Sequence, residues 1–249
     1  MPLTMRRRWI ADEVDHTSGR AALTGEHALH LARVLRATPG QQFDIVTQVD
    51  GRAVVRAGRI TSVTEQRVEF ELGEELPDDG SVSSVTLLLA VFKFDRMEWA
   101  IEKAVELGVE RIIPVIARRT EKHLAAAADK RAERWRRIAR EASQQSRRAS
   151  LPEIAGPLKL EAAIQCVQGL CIVLAESERT QSLKQILENA AEAGPLGLAI
   201  GPEGGWTADE LKQFADSRWY SASLGPTILR AETAAIAALA VVMAMAGRE

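Results

Sequence analysis

The sequence predicts an α/β protein with a small β-rich domain followed by a larger domain that contains a mostly parallel sheet. Its 249 residues are enough for two unequal cores. Residues 1 to about 75 alternate short apolar runs with turn formers, and the turn cluster Pro77–Ser81 follows. Beyond it, apolar runs typical of strands alternate with helical patterns, which favours a parallel sheet covered by helices on both faces. We therefore place the domains at residues 1–76 and 82–249.

The N-terminal domain is predicted to be a small β-barrel. Phe43–Val46 leads through the turn pair Asp50-Gly51 into Ala53–Val55, and Arg67–Phe70 alternates apolar and polar residues. One helix-like segment, Glu26–Arg36, interrupts these strands and is expected to display cations beside the barrel.

The second domain is predicted to alternate strands and helices. Its last helix is apolar nearly all round, which predicts burial, with a second subunit as one possible cover. The predicted elements are the strand Val85–Phe92, the helix Arg96–Leu107, the strand Arg111–Ile116, the helix from about Asp129 to Arg147, the strand Leu170–Leu174, the helix Ser182–Ala190, the strand Leu196–Ile200 and the helix Ala231–Met245.

The overall charge does not indicate a nucleic-acid partner, so any such indication has to come from the charge distribution. The formal net charge is -2. The segment Arg118–Arg148, however, contains eleven Lys or Arg residues against four Asp or Glu, and Arg6–Arg8 form a second basic cluster. A solvated helix face is the alternative interpretation of such a run.

The cysteine content and the hydropathy pattern indicate the cellular compartment of the protein. Cys166 and Cys171 are too few and too oddly spaced for a zinc site or a disulfide framework, which predicts a reducing compartment and no bound metal. The N-terminus lacks a hydrophobic signal region, and the longest apolar run, Ala234–Ala246, is too short to span a bilayer. We expect a cytoplasmic protein with no membrane partner.

A glycine-rich loop is the first candidate ligand site. The predicted strand ending at Ile200 runs directly into Gly201–Thr207. Ligands of open α/β sheets bind beyond the carboxyl ends of strands, and glycines let backbone groups approach an adenine edge or a ribose. The alternative is a tight turn with Thr207 as a helix cap. The spacing matches neither a phosphate loop nor a dinucleotide fingerprint, which disfavours nucleotide hydrolysis and hydride transfer.

A second candidate segment, Leu224–Ala234, precedes and begins the last helix. Leu224–Pro226 is predicted to be a turn, and Thr227 or Glu232 to cap the helix. Arg230 would lie at the positive end of the helix dipole, where a cation is unfavourable. Arg230 should therefore have an anionic ligand or, alternatively, a salt bridge to Glu232 or Glu203.

With these motifs the sequence resembles the bacterial 16S ribosomal RNA uracil-N3-methyltransferases of the SPOUT class. The matching segments follow the family's order and span nearly the whole chain. They are His30–Arg36, Lys103–Val109, Glu133–Trp135 with Glu141–Arg147, Gly201–Gly205, and Leu224-Gly225 with Ile228–Ala234.

The resemblance implies a PUA-like β-barrel that binds RNA, then a methyltransferase domain with a C-terminal trefoil knot, although general topology rules argue against knots. It also implies a homodimer that uses S-adenosylmethionine to methylate N3 of a specific uridine in 16S rRNA of the small ribosomal subunit. By motif, the cofactor would be bound by Leu174, Glu176, Ile200, Gly201, Pro202, Glu203, Gly204, Gly205, Leu224, Gly225, Ile228, Leu229 and Arg230.

The chemistry of the reaction suggests roles for charged residues. Uracil N3 is a poor nucleophile until its proton leaves, so the protein must favour the N3 anion and align it with the methyl group. Arg230 is the candidate cation for this purpose. Glu232 or Glu203 is the candidate base, with a helix cap as the alternative role for Glu232.

RNA affinity is expected from phosphate contacts that weaken with salt. His30 is either such a contact or a residue of the barrel core. The candidate RNA contacts are Arg6, Arg7, Arg8, His30, Arg33, Arg36, Lys93, Arg96, Arg118, Arg119, Arg147 and Arg148. Two other functions remain open, a non-catalytic RNA-binding assembly factor and a ribose 2′-O-methyltransferase. Cofactor binding would separate the first from a methyltransferase, and identification of the modified nucleoside would separate the second.

Overall fold

The structure is a computed structural model that describes residues 8–49, 52–76, 84–146, 148, 150–190 and 194–246. The chain divides into two compact units, Met1–Gly80 with Ser143–Ser150, and Ser81–Ala142 with Leu151–Glu249. The turn predicted at Asp50-Gly51 lies outside the described residues, as does the predicted linker Pro77–Ser81.

The first unit contains a curled six-stranded sheet in the order β1-β4-β5-β6-β3-β2. All neighbours are antiparallel except β1 and β4. The N–H of Ala11 donates to the Val46 carbonyl and that of Asp12 to the Ala22 carbonyl, each at 3.0 Å. One continuous segment therefore lies along both β4 and β3, which curls the sheet. The strands are β1 (Arg8–Ile10), β2 (Glu13–Asp15), β3 (Arg20–Thr24), β4 (Gln42–Val49), β5 (Arg52–Val63) and β6 (Arg67–Glu75).

The helical insert predicted in this unit is confirmed. It consists of α1 (Gly25–Leu29), which continues as a π-helical turn, His30–Val34. Leu31 is fully buried in a core with Leu23 and Phe70, whereas Val34 is 66% exposed. The insert therefore presents one face to the core and the other to solvent.

The second unit contains a seven-stranded sheet whose pairs are all parallel, as the strand and helix pattern predicts. Its order is β10-β8-β7-β12-β11-β13, and β9 also pairs with β8. The strands are β7 (Val85–Ala90), β8 (Arg111–Ile116), β9 (Glu153–Ile154), β10 (Leu158–Lys159), β11 (Leu170–Leu174), β12 (Leu196–Ile200) and β13 (Tyr220–Ala222). The helices are α2 (Phe94–Glu106), α3 (Lys122–Gln145), α4 (Leu160–Gln165), α5 (Leu183–Asn189), α6 (Ala208–Asp216) and α7 (Ala231–Ala246).

Both faces of this sheet are buried. Along β7, Leu87 and Leu89 belong to a core formed with α2, α3, α5 and α7, while Leu88 and Ala90 belong to a second core with α4 and α6. A strand covered on both faces has a continuous apolar sequence. For this reason the pattern predicted β8, β11 and β12 with the bounds that the structure has.

The helix predicted to begin near Asp129 begins at Lys122 instead. The intervening segment Ala125–Ala128 has high helix propensity but little amphipathic pattern, so periodicity missed it. The last helix, α7, packs against α2 and α5 but leaves Ala240 and Ala244 exposed. None of the described helices is long and apolar enough to cross a membrane.

Part of the basic run is paired within the second unit. The Glu98 carboxylate accepts from Arg131 Nε at 2.6 Å and from Arg134 Nε at 2.9 Å. The Arg131 guanidinium also lies over the Phe94 ring, 5.3 Å from its centroid. These two cations therefore join α3 to α2. Their guanidinium groups are already paired and are not free to bind RNA phosphates.

Gly169 directly precedes β11, and we expect a side chain at this position to destabilise the protein. Its φ is +86°, and a Cβ there would lie 1.9 Å from the Pro195 carbonyl oxygen. We expect Gly169→Ala to lower the free energy of unfolding by about 2–4 kcal/mol through backbone strain and this clash. Urea unfolding would measure the change. Gly156→Ala is the matched control, because a Cβ there meets no atom of the described residues within 4 Å. Equal stability of the two variants would contradict the prediction.

Candidate active site

A cavity of about 270 Å³ lies at the carboxyl edge of the second sheet. The loops that follow β11, β12 and β13 form its walls. Twelve of the thirteen residues predicted for the cofactor site line it, and Arg230 does not. The twelve are Leu174, Glu176, Ile200, Gly201, Pro202, Glu203, Gly204, Gly205, Leu224, Gly225, Ile228 and Leu229.

The glycine loop, Gly201–Gly205, forms the central wall. Its end is a turn in which the Gly205 N–H donates to the Pro202 carbonyl at 2.8 Å, with Gly205 at φ +69°. A Cβ on Gly201 would lie 3.1 Å from Trp206 Nε1, and one on Gly204 would lie 3.2 Å from Arg119 Cδ. The loop is therefore closely packed behind these two glycines, and a side chain at either position would require Trp206 or Arg119 to shift.

Thr207 caps the following helix, as the alternative interpretation of this loop predicts. Its hydroxyl accepts from the Glu210 N–H at 3.3 Å, and the Glu210 carboxylate accepts from the Thr207 N–H at 2.8 Å. The other Glu210 oxygen accepts from the Arg118 N–H at 2.8 Å. Glu210 is 2% exposed. This buried, satisfied carboxylate joins the loop after β8 to the beginning of α6.

The loop after β11 is shaped by Glu178. Its carboxylate accepts from the Thr180 hydroxyl at 2.5 Å and from the backbone N–H groups of Thr180 and Gln181 at 2.6 and 3.2 Å. The Thr180 side chain makes the largest contribution, and together these bonds lower the pKa of the Glu178 carboxyl to about 2. The two residues on either side, Ser177 and Arg179, line the cavity.

The loop after β13 supplies an apolar wall. It is anchored because the Ser223 N–H donates to the Gln181 carbonyl and the Leu183 N–H to the Ser223 carbonyl, each at 2.9 Å. Ile228 is 76% exposed at the cavity, while Leu229 is partly buried. An exposed aliphatic side chain beside glycine backbone suits a flat aromatic ligand.

Two carboxylates near this wall share one cation, Arg96. The Arg96 Nη1 donates to Glu203 Oε1 at 2.9 Å, and Arg96 Nε lies 3.8 Å from Glu232 Oε1. Arg96, and not Arg230, therefore pairs with Glu203 and Glu232. Arg230 is exposed, and in the described parts of the chain its side chain has no hydrogen bond or ion pair. Glu232 is 7% exposed, and its Oε2 has no partner among those residues.

Sequence reasoning assigned Arg119 to RNA, but the structure places it in the cavity wall. Its Nη1 donates to the carbonyls of Gly204 and Trp206, the latter at 3.5 Å. Leu211 of α6 lines the cavity too. The sequence alone does not show that the loop after β8 and the helix α6 meet at this cavity, so only the folded arrangement reveals that the two residues line it.

The RNA-contact candidates lie in both units. His30 is exposed and packs against Trp9 with ring centroids 5.8 Å apart, so it is not a core residue. Arg33 donates to both Glu65 oxygens, at 2.9 and 2.8 Å. Arg8, His30, Arg33, Arg36 and Arg148 belong to the first unit, Lys93, Arg96, Arg118 and Arg119 belong to the second, and Arg6, Arg7 and Arg147 lie outside the described residues.

Comparison with known proteins identifies the family. A family described as an RNA methyltransferase domain matches residues 80–243. The ribosomal RNA small subunit methyltransferase E of Mycobacterium bovis is 35% identical, over 96% of this chain and 92% of that protein. The chain belongs to the ribosomal RNA small subunit methyltransferase E family. This membership confirms the resemblance that the sequence motifs indicate.

Solved structures of the family have the same fold. A ribosomal RNA small subunit methyltransferase E from Neisseria gonorrhoeae, bound to S-adenosyl methionine, aligns with a TM-score of 0.82 at 28% identity, over 96% of this chain and 97% of that one. A Legionella pneumophila protein in complex with the bound cofactor SAM aligns with a TM-score of 0.82 at 27% identity and the same coverage. The mixed α/β fold, with a curled sheet and a parallel sheet, is therefore the fold of this family.

The hydrogen bonds to Glu178, in the loop after β11, predict that the free energy of unfolding depends on pH. Because the pKa of the folded state lies below the ordinary value of 4.5, the stabilisation is complete above about pH 4.5 and is lost as the pH falls toward 2. It should amount to about 1 kcal/mol or less, since the group is partly solvated. Unfolding measured between pH 6 and 3 should show a smaller acid destabilisation in Glu178→Gln than in the unchanged protein.

A suitable control for this prediction is Glu188→Gln. Among the described residues, Glu188 makes only an exposed pair with Lys184 on α5, at 3.5 Å. Its acid destabilisation should parallel that of the unchanged protein. A parallel curve for Glu178→Gln as well would show that the Glu178 bonds do not stabilise the folded state.

Proposed function

We propose that this protein transfers a methyl group from S-adenosylmethionine to N3 of a specific uridine in 16S rRNA of the small ribosomal subunit, in the cytoplasm. The observation that carries the proposal is the cavity itself. Three separate segments, two of which carry a family motif, converge on it at the carboxyl edge of the parallel sheet. Membership of a family of small-subunit rRNA methyltransferases, with solved relatives that bind this cofactor, supports the same conclusion.

The residues of the cavity fit the cofactor. Leu224, Ile228 and Leu229 provide apolar surface for adenine, and the glycine loop exposes backbone groups that can recognise its edge. The carboxylate of Glu176 is available for ribose hydroxyls or for a cationic group. When bound, the cofactor supplies a sulfonium methyl group that needs no activation.

The chain's own residues must then prepare uracil N3. Arg230 is an exposed cation without a protein partner in the described residues, so it is free to stabilise the N3 anion. Glu232 lies two residues further on and has a buried oxygen without a hydrogen bond to the described residues. We assign it as the base, a role typically worth about 10²- to 10⁴-fold in rate. Glu203 is the alternative base, although its carboxylate is already bonded to Arg96.

The finer architecture follows from the same family. We propose that residues 1–76 form a PUA-like barrel that binds RNA, and that residues 82–249 form a SPOUT domain with a C-terminal trefoil knot. The curled sheet supports the barrel, and the hydrogen bonds between Ser223 and the Gln181–Leu183 segment are compatible with a knot.

A homodimer would cover apolar surface that a single chain leaves exposed. Trp99 on α2 is 47% exposed, and the α7 residues Ala240 and Ala244 are exposed as well. Helices α2 and α7 pack against each other, so one partner surface could contact both.

The central test is methyl transfer from S-adenosylmethionine to small ribosomal subunits that lack native uracil methylation, followed by nucleoside digestion and mass spectrometry. We expect 3-methyluridine. Arg230→Ala should reduce kcat by about 10²-fold or more because the developing anion loses its cation, while cofactor affinity changes little. Glu232→Gln should reduce kcat by a similar factor.

Three outcomes would contradict this assignment. A 2′-O-methylated nucleoside would mean that the ribose is the target. Cofactor binding with no transfer to either subunits or naked 16S RNA would mean another substrate. Neither binding nor transfer would favour the non-catalytic assembly factor.

Backbone strain offers a separate test of the RNA surface. Arg36 has φ +50° at the end of the helical insert, where the Ala37 N–H donates to the Leu31 carbonyl at 2.9 Å. Glycine is the preferred residue at such a position, so Arg36→Gly should stabilise the protein by about 1 kcal/mol. If Arg36 contacts a phosphate, the same variant should bind RNA more weakly, and its salt dependence (log K against log salt) should be shallower by about 0.9.

Arg218→Gly is the matched control. Arg218 is also exposed, has φ +62° and ends a helix, α6, but is not an RNA candidate. It should give a similar gain in thermal stability without loss of RNA affinity. Equal losses of RNA affinity in both variants would show an effect of net charge, and no loss in Arg36→Gly would remove Arg36 from the RNA surface.

A further inference from the structure

Arg96 lies in the first turn of α2, between carboxylates from two other segments of the second unit. One is Glu203 of the glycine loop, at 2.9 Å from Nη1, and the other is Glu232 of α7, at 3.8 Å from Nε. The Arg96 side chain is 32% exposed and that of Glu232 is 9% exposed. We call this arrangement the Arg96 bridge.

The bridge resolves two electrostatic conflicts. A cation in the first turn of a helix is unfavourable, and two neighbouring carboxylates offset that cost. A carboxylate as buried as Glu232 needs a nearby cation or hydrogen-bond donors, and Arg96 is the cation that lies beside it. The guanidinium directs two different nitrogens toward the two carboxylates, Nη1 toward Glu203 and Nε toward Glu232, in a fixed planar geometry that a lysine ammonium lacks.

The position of the bridge connects it to the cavity. Glu203 lines the cavity, and its loop is fastened at the next residue by Arg119 through the Gly204 carbonyl. Glu232 is the second residue of α7. This helix directly follows Ile228–Arg230, the end of the loop after β13 that forms the apolar wall of the cavity. Arg96 thus fixes the glycine loop and the beginning of α7 relative to each other, while its own side chain does not line the cavity.

We propose that Arg96 is a positioning residue for the methyl-transfer reaction and not an RNA phosphate contact. It holds Glu203 and Glu232 in place, and through them it sets the width of the cofactor cavity and the location of Arg230. This inference rests on the proposed function, since it concerns the same cavity. It differs from the expectation for a basic residue near an RNA surface, because the guanidinium is committed to two carboxylates of its own unit.

Titration of the cofactor in the absence of RNA distinguishes a positioning role of Arg96 from a contact with RNA phosphate. Isothermal titration calorimetry with S-adenosylmethionine should show a Kd at least about 10-fold higher for Arg96→Ala, since small displacements of binding groups are costly. Arg96→Lys should recover part of this loss. Lys93→Ala is the matched control, an exposed cation three residues earlier at the cap of the same helix. It should leave the cofactor Kd unchanged while weakening RNA binding.

The steady-state kinetics of methyl transfer also distinguish a positioning role of Arg96 from a contact with RNA phosphate. For a positioning residue, Arg96→Ala should lower kcat by about 10²-fold and leave the KM for RNA within about twofold. For a phosphate contact, the variant should raise the KM for RNA and reduce the salt slope of RNA binding by about 0.9. The second pattern, with an unchanged cofactor Kd, would overturn the proposal.

A ligand-free measurement keeps the inference independent of the proposed function. Hydrogen exchange should become faster at residues 201–207 and 224–232 in Arg96→Ala, with little change in the β8 and β9 segments. Glu203→Gln removes one charge of the bridge with little change in side-chain shape, and it should give the same pattern at residues 201–207. Unchanged exchange in both variants would overturn the proposal, whichever RNA atom is methylated. A wrong substrate assignment would instead leave these exchange patterns and the cofactor titrations as expected.

Discussion

The parallel pairing of β7, β12, β11 and β13 is the constraint on which the candidate site depends. In a parallel sheet all carboxyl ends lie at one edge, so the loops after successive strands become neighbours. The register brings Ile200 beside Leu89 and Leu174 beside Ala222, so the strands end at nearly the same level. Segments separated by many residues then meet around one cavity, and no single segment could form it alone.

The buried carboxylates in this unit serve different purposes. Glu210 is 2% exposed, and its two oxygens accept bonds from Thr207 and the Arg118 backbone, so it stabilises the loop without being available for chemistry. Glu232 is similarly buried, but its one near cation is 3.8 Å away and its Oε2 lacks a partner in the described residues. An incompletely satisfied carboxylate is costly to bury, and such groups are found more often where function requires them. This contrast favours Glu232 over Glu210 as a group that accepts a proton.

The sequence predicted those elements of the fold that have a recognisable local pattern of apolar residues. Leu170–Leu174 and Leu196–Ile200 are continuous apolar runs because both faces of the sheet are buried, and their bounds agree with the structure. The strand Glu153–Ile154 was missed because two residues cannot show a period. The glycine loop was found from its glycines and Leu224–Ala234 from its turn and Arg230, whereas Leu174 and Glu176 were found only through the family resemblance. Arg96 and Arg119 were assigned to RNA because a charge in a sequence does not reveal the carboxylate or carbonyl beside it.

The pairing of basic residues with carboxylates bears on how this protein would bind RNA. A cation that already has a carboxylate partner gains little by exchanging it for a phosphate, because one ion pair replaces another. Arg131 and Arg134 share Glu98, Arg33 has both oxygens of Glu65, and Arg96 lies between two carboxylates. The number of basic residues in the sequence therefore overstates the number of phosphates that the protein can neutralise. The net charge is -2, so the attraction to RNA that we propose would depend on cations without a carboxylate partner among the described residues, such as Lys93 and Arg118.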